Sequence, residues 1–108
     1  MELVARQTEI NSIPVLGLQG EIDLATLPRL ADALMRLVTP AATCVVDLDG
    51  VLVVDDAALG LLLGAAGRAR QSNGDLVVVC SSPVLRSRLE LTGFDRAVRV
   101  VAAVHELR

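Results

Sequence analysis

The sequence contains no lysine, tryptophan or tyrosine, and Phe94 is its single aromatic residue. All ten basic residues are therefore arginines, and the formal net charge at pH 7 is −3. Proteins that bind nucleic acids usually combine a basic face with aromatic side chains on which bases stack. Because this chain lacks both features, we expect no nucleic-acid partner.

Long hydrophobic segments are also missing. The longest uncharged apolar run, residues 57–67, falls far short of the roughly 20 residues that a membrane-spanning helix needs. The N-terminus lacks the basic segment followed by an apolar segment that marks a signal peptide. We therefore predict a cytoplasmic protein without direct membrane insertion.

Cysteine and histidine are scarce, which limits the possible chemistry. Cys44 and Cys80 have no Cys-x-x-Cys neighbour and no histidine at metal-ligand spacing. We predict two buried, reduced thiols, with a redox-linked pairing as an open alternative, and we place His105 on the surface. Glycine-rich phosphate-binding loops are absent as well. The sequence thus predicts no catalytic residue, no metal and no cofactor, and favours a binding module over an enzyme.

Strand and helix patterns alternate along the chain. The turn signal Asn11-Ser12 predicts an opening hairpin, and Asp49-Gly50 predicts a turn within the central valine-rich stretch. The strands are predicted over residues 2–8, 13–18, 45–54, 75–80 and 98–101, and the helices over about residues 24–38, 57–71 and 82–92. This order predicts an α/β fold: one domain, residues 1–108, with a mixed, mostly parallel central sheet of about five strands and three to four helices.

The predicted helices have faces of different character. The residues predicted to face the core are Leu24, Leu27, Ala31, Leu34 and Val38 in the first helix, and Leu59, Leu62, Leu63 and Ala66 in the second. The second helix has another, bare face that carries Gly60, Gly64 and Gly67. Each glycine costs a helix about 1 kcal/mol relative to alanine, so we expect close backbone packing there. We favour packing against the sheet and keep contact with a partner as the alternative.

The acidic pair Asp55-Asp56 stands where the central strand gives way to the second helix. A carboxylate at this position accepts hydrogen bonds from free backbone amides and meets the positive end of the helix dipole. We therefore predict that one of the two caps the helix. This structural role accounts for the pair before any function is assigned.

Several motifs together resemble the STAS domain of the anti-sigma factor antagonists. These motifs are Gly20-Glu-Ile-Asp23 before a helix, residues 45–55, Leu59-Gly60, and Ser82-Pro83 through Leu89-x-x-Thr92-Gly93-Phe94. The resemblance covers essentially the whole chain and implies a single STAS-type domain. It further implies a module that regulates transcription by binding an anti-sigma factor of the serine-kinase type, as a monomer or weak dimer.

The resemblance also points to one position that departs from the family pattern. The family signature Asp-Ser-Ser/Ala-Gly-Leu-Gly carries a serine that the anti-sigma factor phosphorylates, which prevents binding. Here the six positions read Asp55-Asp56-Ala57-Ala58-Leu59-Gly60, so Asp56 occupies the phospho-acceptor position. Asp56 has no hydroxyl group and about one negative charge, against roughly 1.5 to 2 for phosphoserine. It either imitates the phosphorylated form weakly or faces a basic partner residue, so we predict a module that phosphorylation does not switch.

The predicted partner-binding residues lie at the start of the second helix and in the loop before the first. They are Glu21, Asp23, Asp55, Asp56, Ala57, Ala58, Leu59, Gly60, Leu61, Ala65 and Arg68. Leu61, Ala65 and Arg68 lie outside the predicted inward face, so we expect an exposed apolar patch beside Asp56, and such patches tend to mark partner sites. Two other functions remain open: a STAS subunit of a lipid-transport ABC complex that binds its ATPase, and a small-ligand or nucleotide sensor.

Overall fold

A computed structural model describes residues 2–107 of the chain. Within this range the elements are β1 Leu3–Ile10, β2 Ile13–Ile22, α1 Leu27–Leu37, β3 Thr43–Val54, α2 Asp56–Gln71, β4 Asp75–Val79, α3 Pro83–Leu91, α4 Phe94–Ala97 and β5 Arg99–Val101, followed by a 3₁₀ turn at Val104–Glu106. The predicted α/β class and element order are confirmed. Residues 1 and 108 of the predicted domain lie outside the described range.

The strands of the described range form one sheet in the order β1-β2-β3-β4-β5. β1 pairs antiparallel with β2, and the remaining neighbours pair in parallel. Asn11 and Ser12 join β1 to β2 with φ angles of 52° and 68°, and two consecutive positive φ angles are what a tight two-residue hairpin turn requires. The predicted hairpin and the mixed, mostly parallel sheet are therefore confirmed.

The helices pack on one face of the sheet. Along the chain, each new parallel strand lies next to the previous one, and the direction in which strands are added never reverses. Right-handed crossovers then place every connecting helix on the same face. Leu34 of α1, Leu62 of α2 and Leu89 of α3 accordingly belong to one large core cluster. The opposite face carries a smaller cluster, in which the C-terminal residues Val104 and Leu107 pack against buried valines of β2 to β5.

Strand β3 runs straight through Asp49-Gly50, so the turn predicted there is wrong. Against β2, its register shifts twice, and each shift leaves one extra residue in β3, as a β-bulge does. A Cβ atom on Gly50 would lie 2.8 Å from the carbonyl oxygen of Leu18 and 2.7 Å from Cγ of Gln19. Glycine is needed at this position because β2 passes so close, and no reversal of the chain is involved.

Two expectations about inward-facing leucines are wrong. Leu63 is 41% exposed, and the buried residues of α2 are Ala58, Leu59, Leu62, Ala65, Ala66 and Ala69. Leu24 precedes α1 and is 81% exposed. α2 therefore faces the core largely through alanines, whose small side chains let the helix backbone lie close to the sheet.

The glycine face of α2 points away from the sheet. A Cβ atom on Gly60 or Gly67 would meet no described atom within 4 Å, and one on Gly64 would meet only Nη1 of Arg68, at 3.6 Å. The favoured prediction, packing of this face on the sheet, is therefore wrong. The face is open, which leaves contact with a partner as the remaining interpretation.

Cys44 and Cys80 are buried and free, as predicted. In the pairing of β3 with β4, Cys44 lies opposite Leu76, and Leu76 precedes Cys80 by four positions in the chain. At about 3.3 Å per residue, this places the two cysteines at least about 13 Å apart, beyond the roughly 7 Å between Cα atoms that a disulfide can bridge. Burial raises the pKa of the Cys44 thiol from 9.0 to about 11 and also raises the pKa of Cys80.

Candidate functional site

Asp55 and Asp56 have different roles at the start of α2. Asp55 precedes the helix in an extended conformation, and its Oδ1 accepts a hydrogen bond of 2.9 Å from the amide of Ala58. Asp55 is therefore the N-cap and satisfies one of the free amides of the first turn. Asp56 is the first residue of the helix, so its carboxylate is not needed as a cap.

Arg88 of α3 reaches the Asp56 carboxylate from a neighbouring helix. Its Nη2 donates a hydrogen bond of 2.7 Å to Oδ1 of Asp56, and the two side chains are 40% and 87% exposed, respectively. Nε of Arg88 is buried and has no hydrogen-bond partner within residues 2–107. The Arg88 side chain is therefore buried at Nε, while the end of its guanidinium group reaches the surface at Asp56.

The loop between β2 and α1 is held by Thr26. Its Oγ1 donates to the carbonyl oxygen of Glu21 at 3.0 Å and accepts from the amide of Asp23 at 3.0 Å. In return, Oδ1 of Asp23 accepts from the amide of Thr26 at 3.1 Å. The Asp23 carboxylate thus fixes the shape of this loop, and its predicted contact with a partner stays a prediction.

An apolar groove lies between α1 and α2, and we call it the α1–α2 groove. It has a volume of about 350 Å³ and is lined by Leu24, Leu27, Pro28, Ala31, Ala57 and Leu61. Leu24 comes from the loop after β2, and Ala57 comes from the first turn of α2. The two segments predicted to bind a partner therefore meet in this groove.

A second groove lies on the other side of α2, and we call it the α2–α4 groove. It has a volume of about 450 Å³ and is lined by Asp56, Leu59, Gly60, Leu63, Thr92, Gly93, Phe94 and Ala97. Thr92-Gly93-Phe94, which the sequence pattern explains as the end of α3, forms one wall of this groove. Asp56 therefore stands at its rim.

Between the two grooves, the exposed face of α2 forms a low ridge, which we call the glycine ridge. Gly60 and Gly64 carry no side chain and are exposed, and Ala57 adds only a methyl group. Further along the helix, the Arg68 side chain lies over Gly64. The ridge is therefore bare at its N-terminal end, next to Asp56.

The predicted binding residues differ in exposure. Asp56, Ala57, Gly60 and Arg68 are exposed, Glu21, Asp23, Asp55 and Leu61 are half-buried, and Ala58, Leu59 and Ala65 are buried. The expected exposure of Ala65 is wrong, because Ala65 lies on the face of α2 that packs on the core. Leu59, although buried, lines the α2–α4 groove. The binding role of the set as a whole stays a prediction.

Sequence reasoning missed Arg88, Thr92 and Leu24 as members of this site. Arg88 is 32 positions from Asp56, so no local pattern connects them.

Elsewhere in the described range, a cavity of about 460 Å³ lies against β1, β2 and β3 on the face opposite the helices, with Arg6, Gly17 and Asp47 in its lining. None of the predicted site residues lines it. Residues 2–107 contain no group of three or more His, Cys, Asp or Glu side chains arranged to hold a metal ion. No helix in this range is both long and apolar enough to cross a membrane.

Comparisons with known proteins agree with this architecture. The STAS domain model matches residues 5–107. The anti-sigma-F factor antagonist RsfB of Mycobacterium tuberculosis is 31% identical over 97 residues, which cover 89% of this chain and 79% of RsfB.

Solved structures show the same fold. An anti-sigma factor antagonist from Mycobacterium paratuberculosis superposes with a TM-score of 0.86 at 24% identity, covering 97% of this chain and 90% of that one. SpoIIAA of Bacillus in its phosphorylated form gives a TM-score of 0.61 at 19% identity, with 95% of each chain covered. From the family model and the identity with RsfB, the chain belongs to the STAS domain family and, within it, to the anti-sigma factor antagonists.

Proposed function

We propose that this protein binds an anti-sigma factor of the serine-kinase type and acts in the cytoplasm, where transcription takes place. The observation that carries the proposal is the position of Asp56 at the rim of the α2–α4 groove, next to Ala57, which lines the α1–α2 groove and adjoins the glycine ridge. This is the position that the family resemblance assigns to the phospho-acceptor. The relative RsfB is an anti-sigma-F factor antagonist by name, which supports an anti-sigma factor as the partner.

The shape of this surface suits a protein partner. Leu24 in the α1–α2 groove and Leu63 in the α2–α4 groove are exposed apolar side chains on opposite sides of α2. The bare ridge between them lets a partner's backbone approach α2 closely. A stable interface covers about 800 Å² on each partner, so we expect the contact to extend over both grooves and the ridge.

Binding at this surface is, in our proposal, not switched by phosphorylation. SpoIIAA occurs in a phosphorylated form, whereas Asp56 offers no hydroxyl group to a serine kinase. Replacing Asp56 with serine restores the hydroxyl, and serine also suits the first turn of a helix. We therefore expect Asp56→Ser to accept phosphate from the bound kinase and the wild type to accept none. The transfer of phosphate from radiolabelled ATP to each of the two proteins measures this difference.

The test uses a panel of purified anti-sigma factors from the source organism and measures binding by calorimetry. Leu24→Arg places a charge in the α1–α2 groove, and Ile10→Arg is the matched control, since Ile10 is 41% exposed at the hairpin, the other end of β2. We choose Leu24 over Leu61 because Leu61 packs partly against the core.

We expect one panel member to bind the wild type and Ile10→Arg equally and Leu24→Arg at least tenfold more weakly, since a buried unpaired charge is costly. All three proteins should melt at similar temperatures, because both leucine and isoleucine side chains are exposed. Failure of every panel member to bind the wild type would refute the proposal. Binding to a transporter ATPase instead would support the alternative function.

A further inference from the structure

We propose that Arg88 cancels the charge of Asp56 within the chain, so that the protein remains permanently in its binding-competent state. The partner surface that it fits is then apolar, without a basic residue opposite Asp56. This inference rests on the proposed function and specifies the chemistry of its partner.

Asp56 places less negative charge at the phospho-acceptor position than phosphoserine would. Phosphoserine carries about 1.5 to 2 negative charges, which one arginine does not neutralise. Asp56 carries one, and the Arg88 guanidinium lies 2.7 Å from it. The neighbouring carboxylate, Asp55, is already bonded to the amide of Ala58 at the positive end of α2. The charge at position 56 is therefore paired within the chain, whereas phosphoserine at this position would keep excess negative charge.

The Arg88 side chain is held in place by contacts within the chain. Its Nε is buried and its Nη2 is bonded to Asp56, so the guanidinium group is held at both its inner and its outer end. The guanidinium group is thereby directed toward α2 before any partner binds. Such preorganisation reduces the entropy that is lost when the pair is covered.

A partner that covers the Asp56–Arg88 pair also contacts the α2–α4 groove beside it. The α2–α4 groove, at whose rim Asp56 stands, is lined otherwise by Leu59, Leu63, Phe94, alanine, glycine and one threonine. A basic partner side chain opposite Asp56 would have to compete with Arg88 and would be repelled by it. An apolar partner patch covers the neutral pair and fills the groove without leaving a charge unpaired.

The experiment measures the affinity of four proteins for the panel member that binds: the wild type, Arg88→Gln, Asp56→Asn and the double variant. Arg36→Gln is the matched control, because it breaks a comparable exposed pair with Asp32 on α1, away from both grooves. Melting temperatures verify that every variant is folded, and we expect them to stay close to that of the wild type, since exposed ion pairs contribute little to stability.

We expect Arg88→Gln to weaken binding about thirtyfold, the lower end of the effect of leaving a buried charge without its partner. The double variant removes both charges and should return to within about threefold of the wild type. Arg36→Gln should bind as the wild type does.

Two results would overturn the inference and leave the proposed function standing. Equal weakening in Arg88→Gln and the double variant would show that Arg88 itself contacts the partner. Unchanged or tighter binding by Arg88→Gln would show that the partner tolerates or attracts a free carboxylate at position 56. If no panel member binds any of the proteins, the proposed function fails instead.

Discussion

Replacing Gly60 or Gly67, two glycines on the open face of α2, with alanine should stabilise the protein. Gly60 and Gly67 lie inside the helix, and an added Cβ atom at either position has no described atom within 4 Å. The methyl group therefore meets open space, and the helix gains the full preference for alanine, about 1 kcal/mol at each position. For a domain of this size, we expect the melting temperature to rise by about 4–8 °C for each substitution.

The two substitutions should differ in their effect on binding. Gly60 lines the α2–α4 groove beside Asp56, whereas Gly67 lies about 10 Å further along the helix. We expect Gly60→Ala to raise stability and lower affinity for the anti-sigma factor, and Gly67→Ala to raise stability with a smaller effect on affinity. Thermal melting followed by circular dichroism and calorimetric titration measure the two quantities.

A glycine outside this face serves as a control for which we expect the opposite change in stability. At Gly74, a Cβ atom would lie 2.2 Å from the carbonyl oxygen of Ala42, so Gly74→Ala should destabilise the protein. A lower melting temperature for Gly60→Ala would refute the reasoning, because it would show that the ridge packs against another part of the chain.

Two further predictions concern the N-cap and the thiols. Asp55→Ala should cost about 1 kcal/mol of stability in urea denaturation through loss of the cap to α2, while Asp55→Ser should retain most of it; equal losses would mean that the cap is not the cause. Because burial, reinforced by the charge of Asp75, raises the folded-state pKa of Cys44 from 9.0 to about 11, the unfolded chain loses its thiol proton first as the pH rises. The stability contribution of this thiol is therefore full below pH 9 and lost between about pH 9 and 11. Over that range the wild type should lose more stability than Cys44→Ala, and parallel curves would contradict the assigned cause.

The elements that could be predicted from the sequence are those with local signals. The hairpin turn Asn11-Ser12 and the N-cap and proline at Ser82-Pro83 lie where expected, because the backbone angles and caps they require involve only neighbouring residues. The acidic pair was expected to cap α2, and the structure assigns that role to Asp55. Alternation of strands and helices then left few possible topologies.

The failures have a common physical cause, which is that contacts distant in sequence decide the outcome. Asp49-Gly50 is a turn signal by itself, yet Gly50 pairs with Gln19 of β2, and Oδ1 of Asp49 accepts hydrogen bonds from the amide and hydroxyl of Ser81. α2 is apolar around most of its circumference, so periodicity alone could not distinguish Ala65, which is buried, from Leu63, which is not. The ion pair of Asp56 with Arg88 joins two helices and has no local pattern at all.

The order of the strands in the sheet has a consequence for folding during synthesis. Each strand pairs with the one that precedes it in the chain, so no strand has to insert between two that are already joined. Once the chain through β3 has left the ribosome, β1, β2, α1 and β3 can assemble. Each later strand then adds at the free edge, and the helix that precedes it covers the same face of the sheet. Synthesis delivers the N-terminal elements first, at about 5–20 residues per second. This topology allows the growing chain to bury the apolar surface of the helix-bearing face stepwise, whereas the valines of the opposite face are covered only when the C-terminal residues Val104 and Leu107 are added.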